Sequence, residues 1–159
     1  MKTAVVIYSH DGSCAFVAEE IKNQLNADVI RLYTTKEKKR SKIGLLFWGC
    51  GMVFSKKKPP LKPYTFNASA YDLIFIGAPV WAYSPAPPVI TFLSEAGITG
   101  KKIALFVCHG GGKGNTLEKL KTLTPGNKVI GEADFVEPVK ADSAVIKKQI
   151  TDWIKSIVK

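Results

Sequence analysis

Apolar runs and helical patterns alternate along the first half of the chain. Residues 2–8 are β-branched and apolar almost without interruption, which is typical of a strand buried on both faces of a sheet. From Ser13, apolar residues recur every three or four positions among polar ones and predict an amphipathic helix. Residues 28–33 alternate as a second strand does, and residues 73–77 predict a third strand that a turn closes at Gly77.

The same alternation continues in the second half. Pro87 and Pro88 predict the start of a helix that ends at Gly97. The remaining predicted elements are a strand at 102–107, a helix at 116–123, a strand at 128–136 and a helix at 143–158, which Asp142 or Ser143 would cap. Five strands alternating with helices predict a parallel sheet covered on both faces, in which ligands bind at the carboxyl ends of the strands.

Length and composition fit a single domain. The chain has 159 residues, 46% of them apolar, and we assign residues 1–159 to one domain with a basic and apolar insert at about 36–63. Its first residues lack the features of a signal peptide, so we expect a cytoplasmic protein. Cys14, Cys50 and Cys108 are widely separated and odd in number, which argues against a disulfide framework. With two histidines and no ligand spacing, no metal site is predicted.

The segment Tyr8-Ser9-His10-Asp11-Gly12-Ser13-Cys14 joins the first strand to the first helix. Free N–H groups at a helix start attract anions, and small hydroxyl and glycine residues let a phosphate approach them. An ordinary turn, in which Ser13 only caps the helix, is the alternative. A hydrolytic triad of adjacent Ser9, His10 and Asp11 is rejected, because neighbours in one turn do not converge in the required geometry. A thiolate at Cys14, which a helix N-terminus favours, remains open.

Two further loops follow the third and fourth predicted strands. The first, at 77–85, carries Trp81 and Tyr83 among prolines, which predicts a rigid aromatic surface for a flat ligand unless Trp81 simply folds onto the core. The second reads Cys108-His109-Gly110-Gly111-Gly112-Lys113-Gly114-Asn115. Its glycines predict close approach of the backbone to a ligand, or else a mobile loop. Its spacing matches neither a Walker A loop nor Gly-x-Gly-x-x-Gly.

Together, the three loops and the order of elements resemble the flavodoxin family over essentially the whole chain, and the uninterrupted fifth strand resembles its short-chain branch. The resemblance implies a three-layer α/β sandwich, with a five-stranded parallel sheet of order 2-1-3-4-5, that binds FMN non-covalently. The first loop would hold the phosphate, Trp81 or Tyr83 would stack on the isoalloxazine ring, and the third loop would line the edge of the ring. The implied cofactor-binding residues are Ser9, His10, Asp11, Gly12, Ser13, Cys14, Ala78, Pro79, Val80, Trp81, Ala82, Tyr83, Cys108, His109, Gly110, Gly111 and Gly112.

The first loop departs from the family pattern at two positions. Asp11 stands where the family usually has Thr and places a carboxylate next to a phosphate dianion, while Cys14 replaces the last Thr. Both changes should weaken FMN binding. We expect Asp11 to point to solvent or to pair with His10.

The resemblance implies an electron-transfer flavoprotein without catalytic residues of its own. The alternative is an FMN-dependent NAD(P)H:quinone-type oxidoreductase, which would use the same loops. The sequence offers no separate nicotinamide site, and this favours the carrier. A flavin-free interaction module would explain Asp11 and Cys14, but it leaves Trp81 and the glycine loop unexplained.

Charge is concentrated in the insert. The chain has a net charge of +10. Nine Lys or Arg residues lie between Lys36 and Lys62 against the single Glu37, so this segment carries most of that charge. They flank an apolar stretch at 43–54, which is too short to span a bilayer because a spanning helix needs about 20 residues. A buried helix with basic ends is one interpretation. The other is a surface for an acidic redox partner or an anionic membrane; without a recognition motif, nucleic acid is not expected.

Overall fold

The structure is a computed structural model that describes residues 1–36, 44, 51, 53 and 58–158. Its strands are β1 (Thr3–Tyr8), β2 (Asp28–Leu32), β3 (Leu73–Trp81), β4 (Ser84–Pro85), β5 (Lys102–His109) and β6 (Lys128–Val136). The α-helices with defined bounds are α1 (Ser13–Leu25), α2 (Pro87–Glu95), α3 (Thr116–Thr122) and α4 (Ser143–Ile157), and a short 3-10 helix covers Ala68–Ala70. Asp142 caps α4, since its carboxylate accepts hydrogen bonds from the backbone N–H groups of Ala144 and Val145.

The predicted three-layer fold is confirmed. Five strands pair in parallel in the order β2-β1-β3-β5-β6, which is the order 2-1-3-4-5 when only the parallel strands are counted. Buried residues of α1 and α4 pack on one face of the sheet. Those of α2 and α3 pack on the other. Because every parallel strand points the same way, the loops that follow them meet at one edge.

The predicted turn at Gly77 is wrong, because β3 continues through it to Trp81. Gly77 lies opposite Ile7 of β1 and Phe106 of β5. A Cβ atom at position 77 would lie 2.1 Å from Cζ of Phe106, so the glycine leaves room for this ring to cross the strand. The Phe106 ring in turn packs edge-on against Phe135 and Trp153, with centroids 6.3 and 6.0 Å away.

β4 is an element that the sequence did not predict. It pairs antiparallel with the end of β3, Trp81 opposite Ser84, through a two-residue turn. The turn residues Ala82 and Tyr83 have φ angles of 47° and 55°, which two-residue hairpins favour but which residues other than Gly and Asn seldom adopt. The absence of Asn or Gly from these positions hides the turn at the level of sequence.

Residues 58–62 run beside the chain that leaves β2. Thr34 and Leu61 form an antiparallel bridge, and the N–H of Lys62 donates to the carbonyl of Tyr33 at 2.7 Å. The remainder of the basic and apolar insert lies outside the described residues except for positions 44, 51 and 53. Both interpretations of the insert therefore stay predictions. Within the described ranges, none of the helices has the length and apolar character needed to cross a membrane.

Candidate functional site

A cavity of about 140 Å³ lies at the carboxyl end of the parallel sheet. The loops after β1 and β5, the end of β3, and the segment after β6 all reach it. Its lining consists of His10, Asp11 and Ser13, then Pro79, Val80 and Trp81, then Cys108, His109 and Gly110, and finally Glu137, Val139 and Lys140. The three segments singled out from the sequence are therefore brought together at one place.

Eight of the residues implied by the resemblance do not line the cavity. Cys14 and Ala78 are fully buried in the core, whereas Ala82 and Tyr83 are exposed at the hairpin turn. The complete set is Ser9, Gly12, Cys14, Ala78, Ala82, Tyr83, Gly111 and Gly112. A role of these residues in binding a cofactor stays a prediction.

In the first loop, side chains bond to the N–H groups at the start of α1. The Asp11 carboxylate accepts a hydrogen bond from the N–H of Ser13 at 2.9 Å, and the Ser9 hydroxyl accepts one from the N–H of Ala15 at 3.2 Å. Gly12 between them has a φ of 93°, the left-handed conformation in which glycine is favoured. Asp11 is exposed to solvent, as expected, and its carboxylate also turns back onto its own loop.

Cys14 lies behind this loop and packs with Cys108 in the core. Burial raises the pKa of the Cys14 thiol well above its ordinary value, and a hydrogen bond with the Cys108 thiol raises it further. Burial therefore favours the neutral thiol of Cys14 over the thiolate that the helix position suggested.

The sequence left open whether Trp81 packs onto the core or offers an aromatic surface to a ligand, and the structure shows it both packed on the core and lining the cavity. Its ring packs edge-to-face on the buried Tyr8, with centroids 5.6 Å apart, and lies 6.5 Å from the ring of His10. The same side chain lines the cavity. Tyr83 faces elsewhere and covers the glycine loop, where a Cβ atom at position 114 would lie 2.9 Å from its ring. Trp81, rather than Tyr83, is therefore the aromatic residue of the cavity.

The glycine loop after β5 is held by a network centred on Asp134 of β6. The N–H of Gly112 donates to Nδ1 of His109 at 3.0 Å, so the ring proton sits on Nε2, which lies 3.1 Å from the Asp134 carboxylate. Lys113 donates to the same carboxylate. Partial burial acts to raise the pKa of Asp134, but the hydrogen bonds from Lys113 and His109 outweigh it and lower the pKa. These contacts favour close packing of the loop over mobility.

The segment after β6 is the part of the cavity wall that sequence reasoning missed. Glu137 has a φ of 40°, and its N–H donates to the carbonyl of His109 at 2.9 Å. Lys140 bonds to the Glu137 carboxylate, and this hydrogen bond is the main cause that raises the pKa of Lys140. Val139 lies 3.9 Å from the position that a Cβ atom of Gly12 would occupy. Only the parallel direction of β6 could have placed this segment, because it carries no motif.

The chain matches the flavodoxin family model over residues 2–157. A flavoprotein of Lactobacillus acidophilus NCFM, solved in complex with FMN, has a TM-score of 0.73 at 23% identity and covers 87% of this chain and 96% of its own. The two-electron reduced flavodoxin of Megasphaera elsdenii has a TM-score of 0.58 at 20% identity, with coverages of 93% and 96%. A protein of P. pentosaceus described as an NADPH-quinone reductase has a TM-score of 0.59 at 11% identity, with coverages of 100% and 99%. Likenesses at these identities show a shared fold. No curated protein matches the chain in sequence.

Proposed function

The chain belongs to the flavodoxin family, and on this premise we propose that it binds FMN non-covalently at the cavity and serves as an electron carrier. The observation that carries the proposal is the meeting of the loops after β1 and β5 with the end of β3 at one cavity of the sheet. The likeness to the FMN complex of the Lactobacillus acidophilus flavoprotein supports it. A bound FMN supplies one- and two-electron redox chemistry, while the protein binds, orients and tunes it.

The chain's own residues would divide this work among the three loops. The N-terminus of α1, with Ser13 at its first position, would face the phosphate because its N–H groups and dipole favour an anion. Trp81, which lines the cavity, would contact the isoalloxazine ring. Both ring nitrogens of His109 bond within the protein, so this residue would shape the wall of the cavity and leave contacts with the flavin edge to backbone groups of its loop.

Titration of the purified protein with FMN tests binding and the role of Trp81 together. Loss of an aromatic contact with the flavin should weaken binding by about tenfold, so Trp81→Leu should bind FMN less tightly than the unchanged protein. Trp153→Phe is the matched control, because Trp153 packs against Phe75 and Phe106 and does not line this cavity. A protein that takes up no FMN would overturn the proposal, and equal affinity for Trp81→Leu would overturn the stacking role.

The carrier and the reductase are separated by the response of the FMN-loaded protein to NAD(P)H and a quinone. A carrier should be reduced slowly by NAD(P)H, without turnover of the quinone, but rapidly by dithionite. Rapid turnover of NAD(P)H with the quinone would show that the protein is a reductase and would overturn the carrier proposal. For the carrier, the positive net charge of the chain supports an acidic protein as redox partner.

A further inference from the structure

The first loop, residues 8–14, carries a negative charge of its own on Asp11. Asp11 lines the cavity, and its carboxylate accepts the hydrogen bond of the Ser13 N–H at 2.9 Å. Ser13 is the first residue of the thirteen-residue helix α1, where N–H groups lack partners within the helix. The carboxylate therefore occupies a donor that an incoming phosphate would use.

A phosphate at this position would meet two obstacles. It would have to take over the N–H of Ser13, and it would lie next to the Asp11 carboxylate, which repels it. Like charges at adjoining positions of a partly solvated site repel each other, and this repulsion opposes the attraction of the helix N-terminus for an anion.

Lys140 lines the same cavity from the segment after β6. Its segment approaches the loop closely, because Val139 lies 3.9 Å from the position that a Cβ atom of Gly12 would occupy. Lys140 bonds to Glu137 and lines the cavity together with Asp11. Among the described residues that line the cavity, its ammonium group is the formal positive charge.

From this arrangement we propose that the Asp11 carboxylate acts as a built-in anion of the first loop, residues 8–14, and that a ligand phosphate displaces it from the Ser13 N–H. Lys140 then binds the displaced carboxylate. The inference rests on the proposed function in so far as FMN is the phosphate-bearing ligand. Asp11 then sets specificity: it lowers the affinity for FMN and leaves the affinity for riboflavin, which has no phosphate, unchanged. Lys140 is a positioning residue that acts through Asp11.

Asp11→Asn isolates the charge, because the amide oxygen still accepts from the Ser13 N–H and preserves the turn. The test is titration of each variant with FMN and with riboflavin. Asp11→Asn should bind FMN roughly tenfold or more tightly, with riboflavin affinity unchanged. Lys140→Gln should weaken FMN binding when Asp11 is present and have little effect together with Asp11→Asn. Lys148→Gln, which removes an equal charge from α4 outside the cavity, is the control.

The outcomes separate the two claims about these residues. An unchanged ratio of FMN to riboflavin affinity in Asp11→Asn overturns the role of Asp11. An equal effect of Lys140→Gln with and without Asp11→Asn would mean that Lys140 acts directly on the phosphate, and it would overturn its role as acceptor of the carboxylate.

Inorganic phosphate tests the built-in anion without any flavin. Phosphate should raise the midpoint of thermal unfolding more for Asp11→Asn than for the unchanged protein. If neither flavin binds to any variant, the proposed function fails and the phosphate measurement alone decides the inference. Greater protection of Asp11→Asn then supports it, and equal protection overturns it.

Discussion

At the level of single residues, hydrogen-bonding capacity decides what the side chains around the cavity do. His109 uses both ring nitrogens inside the protein, one to accept from Gly112 and one to donate to Asp134. Asp134 in turn bonds to Lys113 as well, so one carboxylate on β6 holds both ends of the glycine loop. The sequence indicated the glycine loop, but it did not indicate that Asp134 binds this loop, because a single acidic residue in a strand forms no recognisable motif.

Asp134 should make the stability of the protein depend on pH in the acidic range. Its pKa is lowered in the folded protein, so the folded state binds fewer protons than the unfolded state. The stabilisation is therefore present above the unfolded pKa of about 3.9 and is lost as the pH falls through the lower folded pKa.

Urea unfolding measures this contribution. The difference in unfolding free energy between the unchanged protein and Asp134→Asn should be constant between about pH 7 and 5 and should shrink towards about pH 3. Lys113→Gln should weaken the same dependence, because it removes one of the hydrogen bonds that lower the pKa. A difference that stays constant down to about pH 3 would contradict the network.

Gly77→Ala should destabilise the fold, because the added Cβ would overlap the ring of Phe106. Overpacking of this kind costs roughly 1–3 kcal/mol or more in unfolding free energy. Adding Phe106→Leu should recover part of the loss, whereas the two substitutions would simply add if they were independent. Gly111→Ala is the control, since nothing lies within 4 Å of its Cβ position.

At the level of elements, periodicity and capping residues predict what local chemistry controls. The strands and helices appear in the predicted order, and Asp142 begins α4 as its side chain suggested. The ends of β3 depend instead on tertiary contacts. Its last residues pair with β4, and Lys119 of α3 donates a hydrogen bond to the carbonyl of Tyr83 at the turn, neither of which local sequence reveals.

The hairpin turn offers a stabilising substitution. Ala82 adopts a left-handed conformation that costs an alanine roughly 1 kcal/mol and that asparagine tolerates better. Ala82→Asn should therefore raise the free energy of unfolding by a fraction of that amount. Ala104→Asn is the contrasting variant, because Ala104 is fully buried within β5, so the polar side chain should destabilise the fold. If Ala82→Asn lowers the stability in urea, the turn does not carry the strain inferred from its φ angles.

At the level of the whole molecule, the parallel sheet explains which parts of the site could be predicted. Three loops follow strands of the same direction, so their meeting at one edge follows from topology alone. The wall built by Glu137 and Lys140 follows β6 by the same rule, but no residue pattern singled it out. Asp11 could be recognised as a departure, yet its bond to Ser13 depends on the three-dimensional turn.

The uneven charge of the chain leads to a prediction for anionic membranes. If the basic residues between Lys36 and Lys62 form a lipid-binding surface, the protein should sediment with anionic vesicles at about 0.1 M salt and be released at about 1 M, where screening is strong. Replacing Lys56, Lys57 and Lys58 by Gln should abolish sedimentation. The matched control replaces Lys147, Lys148 and Lys155 of α4, which removes the same charge elsewhere. An equal loss in both variants would indicate net charge instead of a local surface.

The contact between Gly77 and Phe106 also limits how this chain can diverge. A side chain at position 77 becomes acceptable only after the ring at position 106 has been replaced by something smaller, so the order of the two substitutions matters. In a lineage of this protein, the two positions should change as a pair, with the change at 106 first. Substitutions at these two positions in the middle of the sheet would then be coupled in evolution.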